Sequence, residues 1–341
     1  MAVFTRDQVH VHIENITIMP QKRKIAILGA GMMGSALAFP AAENGNDVTI
    51  IGTCLDDSII DGYIRTHKHE KFCRPFPDNV QYFYFKDWRK AVEGCDFVIG
   101  GVSSFGVDWF LEEILTQLDP SIPVLSVTKG LRATEDGTLL SYPGFWESEL
   151  AKRGIKRNIC AIGGPCTSYE LVFMDPSEVG FCGKDNEALR MMKEAMQRPY
   201  YHISLTNDVI GLESAVALKN AYAMAVTLAV GLNTRWHGED EPQHYNSQAG
   251  TFTQAVRETH ALMMMQGGTF ESECIGLGDL YVTIFSGRTR RCGVLMGQGL
   301  DYDQVTRRVK SVDRGQGASI ESAWSRGQSW SIYGYTMMFR E

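Results

Sequence analysis

The chain has 341 residues, 44% of them hydrophobic and 21% charged, with a formal net charge of −7. That length suits two domains better than one very large core. The acidic balance removes a generally basic surface for nucleic acid or acidic lipid, while leaving room for a local anion pocket.

Residues 1–20 alternate polar and apolar around His10 and His12, lack a signal-peptide core, and read as an edge strand or arm. Lys24–Gly29 is a short apolar run ending in glycine, the pattern of a buried strand. A glycine-rich turn follows, then a small-residue helix over Ser35–Asn44 and a second strand over Asp47–Gly52, together one βαβ unit. Residues 53–90 are polar and aromatic, with a turn at Pro75–Asn79. Strands resume at 96–102 and 123–128, separated by a helical pattern over Val107–Leu118. Further strands are expected at 157–162, 178–182 and 200–204, and a helix at Asn186–Gln197. Beyond about 205 the alternation gives way to long helical segments, 208–232 and 249–266. The expected fold is α/β: a doubly wound sheet in a dinucleotide-binding domain, 1–205, then an all-helical substrate-binding domain, 206–341. The apolar stretch Ser214–Leu232 approaches the length of a membrane span. Lys219 and Asn220 lie inside it and no second span accompanies it, so a buried core helix and no membrane span are expected.

Gly29-Ala-Gly-Met-Met-Gly34 fits G-x-G-x-x-G between a strand and a helix. Such glycines permit a tight turn and bring the backbone against a pyrophosphate, where the helix N-terminus favours an anion. The context is that of a Rossmann-type cofactor site, with Gly29, Gly31, Met32, Met33 and Gly34 against the dinucleotide; the alternative is a glycine turn used only for packing. The acidic residue expected about twenty positions on is missing. Thr53 and Cys54 follow the second strand, and Asp56 and Asp57 come slightly late. No arginine stands there to hold a 2′-phosphate, so NAD is favoured and NADP is not excluded.

Four later segments are Thr128–Leu131 (TKGL), Gly163–Pro165 (GGP), Gly211–Asn220 (GLESAVALKN) and Gly276–Arg291 (GLGDLYVTIFSGRTRR). With the turn, their order and separations resemble those of the NAD(P)-dependent glycerol-3-phosphate dehydrogenases, over roughly residues 24–325. The resemblance implies an oxidoreductase moving hydride between a small phosphorylated polyol and a nicotinamide cofactor, as a cytoplasmic homodimer. Lys219 carries the acid–base chemistry in that family pattern. The residues agree, because an ammonium in so apolar a helix is disfavoured by desolvation, although a lysine snorkelling to the surface fits the same sequence. The pattern implies that Asp279 holds and tunes this lysine; a helix N-cap is its other reading. It further implies that Lys129 lies near the substrate, that Asn220 and Thr283 contact it, and that Arg288 grips its phosphate. Arg290 and Arg291 read as a solvated face. Ser103 and Phe105, after a strand end, and Gln316 match positions that reach the cofactor.

The chain departs from the family at Gly163–Tyr169, in a polar insertion over Thr234–Tyr245, and past 325, which leaves the substrate pocket open to change. The eight cysteines, at 54, 73, 95, 160, 166, 182, 274 and 292, form no CxxC pair and read as reduced thiols. His10/His12 and His67/His69 lack further ligands at metal spacing, so no metal is expected. Met263–Met265 reads as helix core. Two alternatives stand beside the main reading: a 3-hydroxyacid or 6-phosphogluconate-like dehydrogenase, and a non-catalytic dinucleotide-binding protein.

Overall fold

The computed structural model describes residues 21–285 and 287–313. Its central strand, β1 (Lys24–Leu28), is apolar after Lys24 because both of its faces are covered. Ile25 and Ile27 enter one layer with Phe39, Phe76 and Met192, whereas Ala26 and Leu28 enter the other with Phe110 and Trp146. Burial on both faces is what a parallel sheet requires, since its crossovers place helices on each side.

From β1 the chain passes through α1 (Met32–Glu43), β2 (Asp47–Ile51), α2 (Asp57–Thr66), β3 (Val80–Phe83) and α3 (Trp88–Ala91) to β4 (Phe97–Gly100). α4 (Val107–Phe110) runs on into a π-helical turn, Leu111–Leu115, before β5 (Val124–Ser126). A hairpin of β6 (Leu131–Ala133) and β7 (Leu139–Ser141) leads to α5 (Tyr142–Lys152). Then come β8 (Ile159–Gly163), α6 (Ser168–Val172), β9 (Ser177–Cys182), α7 (Asn186–Met196) and β10 (Tyr201–Thr206). The large sheet has the order β10-β9-β8-β5-β4-β1-β2-β3, with β8 and β9 antiparallel and its other pairs parallel. Strand order reverses between β1 and β4, and their carboxyl ends open the crevice where such sheets take ligands.

Several elements exceed the sequence reading. Residues 53–91 hold α2, β3 and α3; Tyr63, Phe76 and Tyr82, packed edge-on or tilted, tie α2 to β3, while Trp88 and Ala91 of α3 enter the other layer. His67 belongs to this cluster, its Nδ1 meeting the Tyr82 hydroxyl at 2.7 Å, and His69 stacks on Phe72. α5 opens on Tyr-Pro-Gly, which resembles a turn in sequence; Ser141 caps it, its Oγ accepting the Gly144 N–H at 3.3 Å.

The rest is helical: α8 (Val209–His237), α9 (Tyr245–Met265), α10 (Glu273–Phe285), α11 (Gly287–Gly297) and α12 (Tyr302–Asp313). Among the described residues α8 alone is long and apolar enough to cross a membrane, but it packs against α9, α10, α11 and the sheet as a core helix. Met263 is fully buried on α9, whereas Met264 and Met265 are exposed, so the three-methionine run supplies one core side chain. A helix turns each successive residue by about 100°, and one face holds only one of three neighbours.

α8 and α11 cross with backbones in near contact. A Cβ on Gly231 would lie 2.0 Å from Val294 O, one on Gly293 2.1 Å from Thr227 Oγ1, and one on Gly297 2.2 Å from Leu228 O. Alanine gains up to about 1 kcal/mol of helix propensity over glycine. Overpacking against rigid backbone costs about 1–3 kcal/mol and wins. Gly297→Ala should therefore lower the melting temperature; an unchanged or raised value would mean the crossing has slack.

Candidate active site

The glycine turn sits where β1 ends, and each of its three glycines answers to something different. Gly29 has φ +114°, and its Cβ would lie 2.5 Å from Gly101 O, beyond β4. A Cβ on Gly34 would lie 2.4 Å from Gly29 O, which fixes how closely α1 packs on the turn. Gly31, with φ −69°, has nothing nearer than Gly101 O at 4.0 Å. Protein packing accounts for Gly29 and Gly34 but leaves the approach to Gly31 open. Gly31 is also the N-cap of the 12-residue α1, whose first N–H groups lack intrahelical partners. Open backbone over a helix N-terminus fits a pyrophosphate.

The turn is pinned from both sides. Ala30 O accepts from Ser35 Oγ at 3.2 Å and Tyr63 OH at 3.0 Å. Asp56 Oδ2 accepts the N–H groups of Ala30 at 3.2 Å and Thr53 at 2.8 Å, and the Thr53 hydroxyl at 2.8 Å. The acid that spacing makes late thus reaches back to the turn, and it caps no N–H of its own helix. Met32 and Met33 are half-buried on the first turn of α1; Ser103 and the exposed Phe105 lie just past β4, on the same edge of the sheet. Gln316 lies outside the described residues.

Asp279 forms the second focus. It lies within α10, six residues beyond the helix start at Glu273, so it does not serve as an N-cap. Its side chain is 3% exposed, and it binds two ammonium groups. Lys219 Nζ, from the middle of α8, donates to Oδ1 at 2.5 Å; Lys129 Nζ, from the segment after β5, donates to Oδ2 at 2.8 Å and to Gly164 O at 3.3 Å. Burial and the neighbouring Lys129 lower the Lys219 pKa to about 8, against the pull of Asp279. Burial also disfavours the Lys129 ammonium, but Asp279, joined by smaller contributions from Cys166 and Glu213, outweighs it and that pKa is raised. Lys219 therefore gives up a proton first.

Asn220 is exposed next to Lys219, and its Oδ1 accepts from Thr289 Oγ1 at 3.2 Å, tying α8 to α11. Thr283 Oγ1 donates to Asp279 O at 2.7 Å along α10. Arg288 is exposed in the first turn of α11, and Arg290 Nη1 donates to Ile284 O at 2.7 Å, so it is not merely solvated. The departure at Gly163–Tyr169 borders this focus: Gly164 O meets Lys129, and Pro165 packs against Gly278. The 234–245 insertion does not. His237 is 18 residues beyond Lys219 on α8, roughly 27 Å along the axis. There Trp236, His237, His244 and Tyr245 line a groove of about 530 Å³.

Glu213 is an ionisable group that sequence reasoning passed over, and burial pushes its pKa up to about 8. It lies on α8, fully buried, and neither carboxylate oxygen has a hydrogen-bond partner among the described residues. An acid flanked by apolar residues, Gly211-Leu-Glu-Ser-Ala-Val216, was the available signal.

Two family models match. The NAD-dependent glycerol-3-phosphate dehydrogenase N-terminus covers residues 24–189, and its C-terminus covers 208–324. An NADP(+)-dependent glycerol-3-phosphate dehydrogenase from Archaeoglobus fulgidus is 31% identical over 283 residues, spanning 82% of each chain. A glycerol-3-phosphate dehydrogenase (NAD(P)+) from Shouchella clausii is 28% identical, over 86% of this chain and 83% of its own. The solved structure of glycerol-3-phosphate dehydrogenase from Coxiella burnetii has the same fold, with a TM-score of 0.72 at 20% identity, over 94% of this chain and 99% of that one.

The glycine geometry yields a paired test. Gly31→Ala should fold normally and weaken dinucleotide binding at least about tenfold, by crowding the approach of an anion. Gly34→Ala should lose stability first. Calorimetry showing parental affinity in folded Gly31→Ala would remove the turn from the cofactor site.

Proposed function

The chain belongs to the NAD-dependent glycerol-3-phosphate dehydrogenase family, and from that premise we propose that it transfers hydride reversibly between glycerol 3-phosphate, or a related phosphorylated polyol, and NAD or NADP. The observation that carries this reading is the Lys219–Asp279–Lys129 cluster. The C-terminal family match favours it over a hydroxyacid dehydrogenase, and the intact cluster favours it over a non-catalytic nucleotide binder.

The bound nicotinamide supplies a two-electron hydride acceptor, or donor in reverse. In alcohol oxidation the neutral amine of Lys219 takes the hydroxyl proton; in ketone reduction its ammonium returns one to the carbonyl oxygen. Asp279 is a positioning residue that aims both lysines. Lys129, positive and next to Lys219, polarises the same oxygen. Asn220 and Thr283 orient the polyol hydroxyls, and Arg288 binds the phosphate through charge-assisted hydrogen bonds. Gly29, Gly31, Met32, Met33 and Gly34 hold the pyrophosphate, with Ser103, Phe105 and Gln316 at the cofactor's flank. Residues 1–205 form the cofactor half and 206–341 the substrate half, in a cytoplasmic homodimer. A panel of phosphorylated ketones with NADH and NADPH, followed by cofactor absorbance, tests the activity; no turnover with any of them would overturn it.

A lysine lowered to about 8 makes the two directions opposite in pH. Oxidation needs the free amine, so kcat/KM should rise through about pH 8; reduction needs the ammonium and should fall through the same region. Lys219→Met leaves Asp279 paired with Lys129, so it should fold, while turnover drops roughly 10² to 10⁴-fold. Near-parental turnover would transfer the acid–base role to Lys129.

Arg288→Ala should raise KM for the phosphorylated ketone by an amount matching about 2–5 kcal/mol for a lost charged contact, and leave the unphosphorylated analogue unaffected. Undiminished preference for the phosphorylated compound would make Arg290, Arg291 or Lys129 the anchor.

A further inference from the structure

We propose that Ser35 and Tyr63 are positioning residues for the cofactor: together they hold the carbonyl of Ala30, and so aim the N–H of Gly31 outward as a donor to the pyrophosphate. The ligand in this assignment rests on the dehydrogenase reading; the device itself rests on geometry.

The peptide group between Ala30 and Gly31 has one end inside the protein and one outside. Inside, Ala30 O meets Ser35 Oγ at 3.2 Å and Tyr63 OH at 3.0 Å, and the two hydroxyls lie 2.8 Å apart. Ser35 on α1 and Tyr63 on α2 are both buried. Each hydroxyl has one proton, and the two cannot both be spent between the hydroxyls, so at least one reaches Ala30 O in every arrangement. Burial raises the Tyr63 pKa, which keeps that hydroxyl a donor. A trans peptide directs its N–H opposite to its C=O, and the described residues include no cis bond. The Gly31 N–H therefore faces away from both hydroxyls. Gly31 is exposed, and its N–H has no hydrogen-bond partner among the described residues.

Glycine makes such a hold necessary. Turning a peptide group over changes ψ of the residue before it and φ of the residue after it. A glycine in the second place adopts the resulting positive φ at little cost. Gly31, now at φ −69°, is that residue. The missing Cβ that opens the turn to a ligand thus also frees the peptide to turn over, which would present a carbonyl to an incoming phosphate. Asp56 does not prevent this, because the Ala30 N–H that it accepts at 3.2 Å belongs to the preceding peptide. The carboxylate fixes the place of the turn, and the two hydroxyls fix the direction of its donor. One hydroxyl would satisfy a buried carbonyl; two from separate helices restrict where it can point.

Ser35→Ala/Tyr63→Phe removes both protons and little volume. Binding of NADH, and of ADP-ribose, which carries the pyrophosphate without the nicotinamide, is measured by calorimetry, with steady-state kinetics alongside. In the double variant both affinities should fall about tenfold, the scale of one hydrogen bond to a charged group. At saturating NADH, kcat and the KM for the phosphorylated ketone should stay within about twofold of the parent. Each single variant should also bind within about twofold of the parent, because the remaining hydroxyl still reaches Ala30 O. Hydroxyls that merely satisfy a buried carbonyl would lower the melting temperature and leave both affinities alone. That result in a folded double variant would overturn the proposal, as would a single variant that loses as much as the pair. Where the double variant does not fold, Ser35→Cys/Tyr63→Phe keeps a weak donor of similar size, and its affinities should still fall; parental affinities there would overturn the proposal too. Binding needs no turnover. A parent that binds ADP-ribose, loses it in the double variant and reduces no phosphorylated ketone would sink the dehydrogenase reading and leave the device standing. An active parent whose double variant binds as tightly would do the reverse, and a parent that binds neither ligand would overturn both.

Discussion

One carboxylate, Asp279, binds two ammonium groups that arrive from distant parts of the chain. Lys129 comes from the end of the sheet, Lys219 from the long core helix, and Asp279 from the helix packed beside it. Taking three charges out of water is expensive, and the attraction repays it only if the geometry is tight. The position of α10 against both the sheet and α8 is therefore a condition for the charges to be tolerated at all. The same arrangement leaves the cluster with one uncompensated positive charge, which suits a phosphorylated ligand and lowers the proton affinity of the less protected lysine.

Close backbone contact makes the tight geometry possible. An aspartate has one methylene with which to reach two partners, so its helix must come near. Gly276, three residues before it, lets α10 approach α8: a Cβ there would lie 2.4 Å from that of Ala215. Gly278 meets Pro165 on the side of Lys129. The cofactor turn works in the same way, with Gly29 against the backbone of Gly101. Both foci depend on backbones closer than side chains would allow, and in both the charged or anion-binding groups are carried by the approach.

These contacts explain what the sequence could and could not reveal. The strand, turn and helix around Gly29–Gly34 were legible because apolar runs and glycine spacing are local signals. Lys219 stood out as one cation in an apolar helix. Asp279 was legible as a residue but not as a place, since an acid directly after glycine suits a cap as well as a helix interior, and only tertiary contact separates the two. Asp56 looked too late because spacing along the chain ignores a side chain that turns back. Glu213 escaped notice for a related reason: burial without a partner is a property of the packed molecule. The hairpin of β6 and β7 has strands of three residues, too short for alternation to register. Met264 and Met265 show the opposite error, in which composition suggested core and helical rotation put them outside.

The polar groups of α8 place the cost of function inside the core. Lys219 and Glu213 are both held where their charged forms are disfavoured, and their proton affinities are displaced in opposite directions to meet near pH 8. A lysine at its ordinary pKa of about 10.4 would be almost wholly protonated at neutral pH, adequate as an acid and poor as a base. Displaced to about 8, it keeps an appreciable fraction of both forms, so one side chain serves both directions of a reversible reaction. Such displacement requires burial, and burial of two opposite charges on one helix is tolerable only when others nearby answer them. Asp279 answers Lys219, whereas Glu213, its pKa pushed up to about 8 by burial, is held mostly as the neutral acid at neutral pH.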